Sequence, residues 1–129
     1  MTVELNHTII DANDAESSAR WFAHLFGLPE PQQWGPFWQV DTANGVGLDF
    51  DSLGEGSLIK GTHYAFLISE EEFDQIYGRI VAAGIDHWAD PSARHAGQIN
   101  HNDGGRGVYF RSPDGHFLEI ITRPYGTSS

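Results

Sequence analysis

The sequence predicts an α+β fold with two similar halves, each running from a strand through a helix into further strands. Short apolar runs of alternating polarity are followed, twice, by a segment whose apolar residues recur at helical spacing. The segments in between are rich in Gly, Pro, Asn and Asp, which end helices and form turns. The duplication therefore lies in the order of the elements and not in a short sequence repeat.

The first half begins with a strand predicted over 3–10, in which polar and apolar residues alternate. Asn13 and Asp14 can cap the following helix, because their side chains accept hydrogen bonds from its free backbone amides. Gly27 is expected to end that helix, since glycine adopts the left-handed conformation without strain. Two more strands are predicted over 37–41 and 46–51.

The second half repeats this order, starting with a strand predicted over 60–68. Ser69 and Glu72 form a capping box, in which each side chain satisfies a backbone amide of the other residue. The helix they begin should end at Gly84. The last two strands are predicted over 107–111 and 116–122, joined by the turn Ser112-Pro113-Asp114-Gly115 after a long glycine- and histidine-rich loop.

Composition excludes several classes of function. The formal net charge is −11, which opposes binding to nucleic acids and to anionic membranes. No apolar run approaches the roughly 20 residues that a membrane-spanning helix needs. The N-terminus lacks the basic start and apolar core of a signal peptide, so we expect a cytoplasmic protein. Without cysteine, the chain has neither disulfides nor thiolate metal ligands.

Three residues that can bind a metal lie on three different predicted strands: His7, His63 and Glu119. Two histidines and a carboxylate form a facial triad, which leaves metal positions open for substrate and oxygen. Glu119 shares its strand face with Phe117 and Ile121, where an unpaired carboxylate would be costly. Glu119 therefore needs a cation, a hydrogen-bond network or water. The corresponding position of the first half is Asp49.

The segments LNHTIIDANDAESSARWFAHLFGL and GRGVYFRSPDGHFLEIITRP resemble the first strand and helix and the closing hairpin of the vicinal oxygen chelate superfamily. This superfamily includes glyoxalase I, bleomycin resistance proteins, fosfomycin thiol transferases and type I extradiol dioxygenases. The resemblance implies two βαβββ modules that form a curled mixed sheet, with a divalent metal in its cup. We expect one domain over 1–129, with modules over about 1–56 and about 57–126. The matching ligand positions are His7, His63 and Glu119.

The closing segment also resembles the signature of extradiol dioxygenases. In that signature a histidine precedes an apolar residue and a tyrosine, followed by Pro-x-Gly and a glutamate. Here the histidine is His101, the apolar residue and tyrosine are Val108 and Tyr109, and Pro-x-Gly is 113–115, followed by Glu119. Only Ser112, the residue directly before the proline, departs from the pattern. The resemblance implies that Glu119 binds iron and that His101 and Tyr109 are catalytic residues that hydrogen-bond substrate or bound oxygen. Those enzymes also use a separate acid–base histidine, which precedes their second metal-binding histidine in the chain. It has no match here, because His87, His95 and His101 all follow His63.

Several functions stay open on this basis. An Fe(II) dioxygenase of the extradiol type, acting on a small oxygen-chelating substrate, is favoured. If Asp49 were a fourth ligand, a glyoxalase-like lyase or isomerase using Mn, Ni or Zn would fit better. A thiol transferase and a metal-free, bleomycin-type drug-binding protein are further alternatives. The metal triad argues against the last, because such binding proteins usually lack it.

We also expect a homodimer, since small members of this superfamily pair their modules within one chain or across two. His7 would then face His63 and Glu119 of a second copy. The aromatic residues Trp34, Phe37 and Trp38 are candidates for apolar contact. Arg106, among glycines, is expected either at an anionic substrate or at the surface. His24 and His116 are expected at the surface.

Overall fold

The structure is a computed structural model that describes residues 2–54 and 56–126 of the 129-residue chain. The chain divides into two compact units, Met1–Ile59 and Lys60–Ser129. Each unit contains one main helix and one four-stranded mixed sheet, which confirms the predicted α+β class. Within the described ranges, no helix is long and apolar enough to cross a membrane.

The first unit has the order strand, helix and three strands. Strand β1 runs parallel to β4, and β3 lies antiparallel between β4 and β2, so the sheet order is β1-β4-β3-β2. The elements are β1 (His7–Ala12), α1 (Ala15–Phe26), β2 (Gln32–Trp34), β3 (Phe37–Asp41) and β4 (Gly47–Ser52).

Helix α1 begins and ends where the sequence predicts. The side chain of Asp14 accepts a hydrogen bond from the backbone amide of Ser17 at 3.2 Å, and Gly27 ends the helix in the left-handed conformation with φ 68°. The apolar stripe of α1 is buried, and Phe22 stacks on Phe26 with ring centroids 4.5 Å apart. Phe22 also contacts Phe50 of β4, so the helix covers one face of the sheet and leaves the other face without it.

The second unit has the same topology, with sheet order β5-β8-β7-β6 and a parallel β5–β8 pair. Its helix starts at the predicted capping box, in which the Ser69 and Glu72 side chains each accept the other's backbone N–H. The elements are β5 (His63–Leu67), α2 (Glu70–Ala82), β6 (His87–Trp88), a 3₁₀ turn (Asn102–Gly104), β7 (Gly107–Arg111) and β8 (Phe117–Ile121).

The core of the second unit is formed by α2 and by the side chains that alternate toward it from β7 and β8. The fully buried residues at this interface are Phe73, Ile76, Ile80, Val108, Phe110, Leu118 and Ile120. Because side chains alternate along a strand, Tyr109, Phe117 and Glu119 lie on the opposite sheet face. The fold thus separates the packing residues from the candidate site residues.

Strand register makes the two units comparable position by position. In the parallel pair β1–β4, Ile9 lies opposite Asp49, and in the pair β5–β8, Ala65 lies opposite Glu119. Asp49 and Glu119 therefore occupy corresponding places, as the sequence comparison of the two halves predicts. In the antiparallel pairs, Gln39 lies opposite Asp49 and Tyr109 opposite Glu119.

Some sequence expectations are wrong in detail. Strands β2 and β6 were not predicted, because at three and two residues they are too short to show a periodicity. His116 is buried and not at the surface: its exposed fraction is 3%, its Nδ1 accepts the backbone N–H of Thr62, and its ring meets Tyr64 edge-on. The turn after β7 is confirmed, with the Gly115 amide bonded to the Ser112 carbonyl at 3.0 Å.

Candidate metal centre

A histidine and a glutamate meet on the sheet face of the second unit that α2 does not cover. His63 is the first residue of β5, and Glu119 is the central residue of the neighbouring strand β8. The Nε2 atom of His63 lies 3.1 Å from Oε1 of Glu119. The glutamate side chain is 1% exposed, whereas the histidine side chain is 48% exposed. The pair is thus open to solvent on the histidine side only.

The orientation of the His63 ring is set by a backbone carbonyl. Its Nδ1 lies 3.0 Å from the carbonyl oxygen of Phe117, which can only accept a hydrogen bond. The proton of a neutral His63 therefore resides on Nδ1, and the lone pair of Nε2 faces the Glu119 carboxylate. Two acceptors 3.1 Å apart repel each other unless Nε2 is also protonated or a cation lies between them.

This arrangement supplies two donor atoms of the kind that bind divalent metals. Metal-binding histidines characteristically donate their second ring N–H to a backbone carbonyl or a carboxylate, which orients the ring and selects the tautomer. His63 does so toward Phe117, leaving Nε2 as the ligand atom beside an anionic oxygen of Glu119. Both donor atoms suit Fe, Mn, Ni and Zn.

Glu119 has a further partner that the sequence reasoning missed. The hydroxyl of Tyr125 donates a hydrogen bond to Oε2 of Glu119. Because that hydroxyl donates its one proton to the carboxylate, the 2.9 Å contact between Tyr109 and Tyr125 has Tyr109 as donor. The only sequence signal for Tyr125 is its place shortly after β8, near a carboxylate that requires donors.

Both tyrosines remain protonated near neutral pH. Burial is the main cause that raises the pKa of Tyr109 above its usual value, and the charge of Glu119 adds to it. Desolvation and the hydrogen bond to Glu119 also raise the pKa of Tyr125 far above its usual value. Tyr125 therefore acts as a hydrogen-bond donor to the buried carboxylate, and Tyr109 acts as a donor to Tyr125.

Aromatic rings extend from the pair along the same sheet face. Tyr109 stacks on Phe117 at 5.5 Å and lies 6.1 Å from the His63 ring. Trp88 packs against Phe117 at 6.2 Å, and the Arg111 guanidinium lies 5.0 Å from the centroid of Phe117. This surface combines flat apolar groups with one positive charge beside the histidine–glutamate pair.

The other predicted ligand, His7, belongs to the first unit. It is exposed, and its Nδ1 lies 2.7 Å from the side-chain oxygen of Asn6. Asp49, the counterpart of Glu119, accepts a hydrogen bond from Gln39 at 2.6 Å. Among residues 2–54 and 56–126, no three His, Asp or Glu side chains cluster closely enough to hold a metal ion.

The structure does not join His101 to the pair. His101 is exposed, precedes the 3₁₀ turn and makes no side-chain cap for it. In contrast, Tyr109, the other predicted catalytic residue, lies beside both His63 and Tyr125. Of the residues singled out from the sequence, the structure thus brings together His63, Tyr109 and Glu119.

Arg106 holds α2 against its sheet. Its guanidinium donates to Glu70 and Asp74 at 2.8 Å each and to the Glu70 carbonyl at 2.9 Å, and it lies 4.4 Å from the centroid of Phe73. These contacts occupy the positive charge, so Arg106 is a packing residue and not a free anion-binding group.

The comparisons with known proteins agree with this architecture. Residues 4–120 match the Glyoxalase/Bleomycin resistance protein/Dioxygenase superfamily. Among solved structures, Oxidase ChaP-H2 is 54% identical, with a TM-score of 0.95 and coverage of 100% of both chains. Oxidase ChaP-H1 is 55% identical, with a TM-score of 0.92 and coverage of 97% of this chain and 99% of that chain.

A curated relative has a different activity in its name. Glutathione transferase FosA from Serratia marcescens is 28% identical over 131 residues, which cover 93% of this chain and 81% of that protein. The superfamily match spans most of the chain and agrees with the βαβββ order of each unit. This chain therefore belongs to the glyoxalase/bleomycin resistance protein/dioxygenase superfamily, whose enzymes are of the vicinal oxygen chelate type.

Proposed function

We propose that this protein is a metal-dependent, oxygen-using enzyme that acts on a small substrate with two neighbouring oxygen atoms. The observation that carries the proposal is the His63–Glu119 pair, in which Nδ1 of His63 contacts the Phe117 carbonyl and Nε2 lies 3.1 Å from a carboxylate oxygen. The likeness to two proteins named as oxidases, each more than half identical to this chain, supports oxygen as the co-substrate.

In this proposal the ion is Fe(II), held by His63 and Glu119 with His7 as the third ligand. When bound, a divalent ion acts as a Lewis acid and orients chelating oxygens. Three protein ligands leave open positions for a chelating substrate and for oxygen. The buried side of Glu119 excludes water, while the half-exposed edge of His63 faces the side from which substrate enters.

The remaining groups position and screen the substrate. Tyr109 stacks on Phe117 and keeps its hydroxyl proton directed toward Tyr125. The aromatic surface of Trp88, Phe117 and Tyr109 suits a planar substrate such as a catechol, and Arg111 would favour its anionic form. We also propose a catalytic role for His101, which rests on the extradiol signature alone.

The third ligand leads to a homodimer. We propose that His7 of one copy completes the triad with His63 and Glu119 of a second copy, by the pairing of modules across two chains that the superfamily resemblance implies. Two edge strands, β1 and β5, support pairing between copies because they carry exposed apolar side chains on the face of the candidate ligands. Ile9 of β1 is 50% exposed and Leu67 of β5 is 62% exposed, and Leu5, which precedes β1, is 67% exposed.

The test is oxygen consumption by protein loaded anaerobically with Fe(II). With a panel of catechols and hydroxyquinones, we expect uptake that requires iron and is lost in His63→Ala and Glu119→Ala. The Glu71→Gln variant changes an exposed carboxylate on α2 and serves as the control. The proposal fails if the iron-loaded protein consumes no oxygen with any member of the panel.

A second candidate is a thiol transferase, which the relative named glutathione transferase favours. The same ion and ligands would then activate an electrophilic oxygen substrate toward a thiol. Incubation of the Mn(II) protein with glutathione and an epoxide distinguishes the two: consumption of thiol without oxygen uptake would replace the oxygen-using proposal by this one.

A further inference from the structure

The two carboxylate oxygens of Glu119 have different neighbours. Oε1 lies 3.1 Å from Nε2 of His63, whereas Oε2 accepts the hydrogen bond of Tyr125. Tyr125 as a residue is 60% exposed, yet its hydroxyl reaches Glu119, which is 1% exposed. The residue follows Arg123 and Pro124, outside the span that matches the superfamily, so the family match assigns it no role.

We propose that Tyr125 is a positioning residue that makes Glu119 a one-oxygen metal ligand. The inference rests on the proposed metal site. Carboxylates bind metals through one oxygen or through both. The Tyr125 hydrogen bond occupies Oε2 and leaves Oε1, next to His63, for the ion. Two-oxygen binding would make the metal and this hydrogen bond share the electrons of Oε2, so the hydrogen bond favours binding through Oε1 alone.

The direction of the hydrogen-bond chain strengthens the contact. Tyr109 donates to the Tyr125 oxygen at 2.9 Å, and this leaves the Tyr125 proton for Glu119. Donors arranged in series polarise one another, so each bond is stronger than it would be alone. Tyr109 is 5% exposed and fixed by stacking on Phe117, which anchors the otherwise exposed Tyr125 hydroxyl.

The consequence concerns the number of free metal positions. With His7, His63 and one oxygen of Glu119 bound, three positions of an octahedral ion stay open, enough for a chelating substrate and oxygen. A second Glu119 oxygen would fill one of them. Tyr125 would thereby keep open the metal position that allows substrate and oxygen to bind together, without itself touching the ion.

The experiment compares the wild type with Tyr125→Phe, which removes only the hydroxyl. Tyr77→Phe is the matched control, because it removes a hydroxyl that contacts His87 at 3.0 Å in the same unit. Each protein is titrated with Co(II), its visible spectrum is recorded, and infrared spectra of glutamate-labelled protein measure the splitting of the carboxylate stretches. The thermal midpoint of each variant checks its folding.

We expect wild type and Tyr77→Phe to show the wide splitting of a one-oxygen carboxylate. Tyr125→Phe should show a narrower splitting and a weaker Co(II) absorption, because the coordination number rises. Since outer partners of metal ligands contribute about 10–100-fold in affinity, its Kd for Co(II) should rise about tenfold. Stoichiometric binding with an unchanged spectrum and Kd in Tyr125→Phe would overturn the role of Tyr125 alone. Absence of Co(II) binding by the wild type would overturn the metal site as well.

Discussion

Replacing Glu119 by glutamine removes one charge and almost no volume. In the metal-free protein the glutamine amide can donate to Nε2 of His63, since Nδ1 already donates to the Phe117 carbonyl at 3.0 Å. Its carbonyl oxygen can still accept the hydroxyl of Tyr125. The Glu119→Gln variant therefore satisfies every hydrogen bond of this cluster without a cation.

The magnitudes follow from burial and linkage. Glu119 is 1% exposed, so its charge is desolvated, and neutralising it should leave the metal-free free energy of unfolding within about 1 kcal/mol of the wild type or raise it. Metal at 100 times its Kd stabilises the wild type by about 2.7 kcal/mol, a rise in Tm of roughly 10 °C for a chain of this size. Because Glu119 is a proposed direct ligand, its loss should weaken binding by at least the roughly 100-fold upper end for outer partners, which leaves the variant about 0.4 kcal/mol or less.

Differential scanning calorimetry with and without Mn(II) or Co(II) measures both quantities. Glu71→Gln, an identical chemical change at an exposed site of α2, should keep the full metal response. The reasoning would be refuted by a Glu119→Gln variant whose Tm rises with metal as much as that of the wild type. If Glu119→Gln without metal were several kcal/mol less stable than the metal-free wild type, the glutamine amide would not replace the hydrogen bonds of the glutamate as argued.

Four further predictions concern assembly, stability and pH dependence. Equal mixtures of His7→Ala and Glu119→Ala chains, refolded together, should bind about a quarter of the wild-type metal, since half of the random dimers contain one intact shared site; no metal in the mixture would contradict a site shared between copies. Arg106→Ala should lower the free energy of unfolding by about 1–2 kcal/mol. The carboxylates of Glu70 and Asp74 are largely exposed, so each ion pair contributes little, and the contact with the Phe73 ring adds a modest amount. Urea unfolding measures the change, and an unchanged midpoint would contradict it. Ser69→Ala should cost about 1 kcal/mol through loss of the helix cap. The backbone amide and hydroxyl of Ser69 lower the pKa of Glu72 below its usual 4.5. The stability from this carboxylate is therefore present above pH 4.5 and is lost as the pH falls through the pKa of Glu72 in the folded protein. A Glu72→Ala variant that loses stability at acid pH in the same way as the wild type would contradict this.

Local signals predicted most of the elements. Asp14, Gly27 and the Ser69–Glu72 box act within one helical turn, and the Ser112–Gly115 turn closes over four residues, so their effects are visible in the sequence. The starts of β1 and β5 were placed too early, because alternation continues into residues that have no partner strand. Whether a residue joins a sheet is decided by the neighbouring strand, which local pattern does not contain.

The candidate site shows the same division. Alternation placed Glu119 among apolar neighbours, which predicted that it needs donors or a cation. Alternation does not indicate that Tyr125, which follows the strand, donates a hydrogen bond to Glu119. Nor does it indicate that the Phe117 carbonyl favours the tautomer of His63 with its proton on Nδ1. His116 is expected at the surface from the sequence, although the Thr62 amide and the Tyr64 ring hold it in the interior.

The sequence by itself thus determined the α+β class, the duplicated order of elements and the residue types able to bind a metal, because these depend on periodicity and on short-range chemistry. Only the tertiary structure decided which of those residues meet. His63 and Glu119 approach to 3.1 Å because parallel pairing of β5 with β8 aligns two strands far apart in the chain. Register and hydrogen-bond direction across such distances arise from packing of the whole unit, and no local segment encodes them.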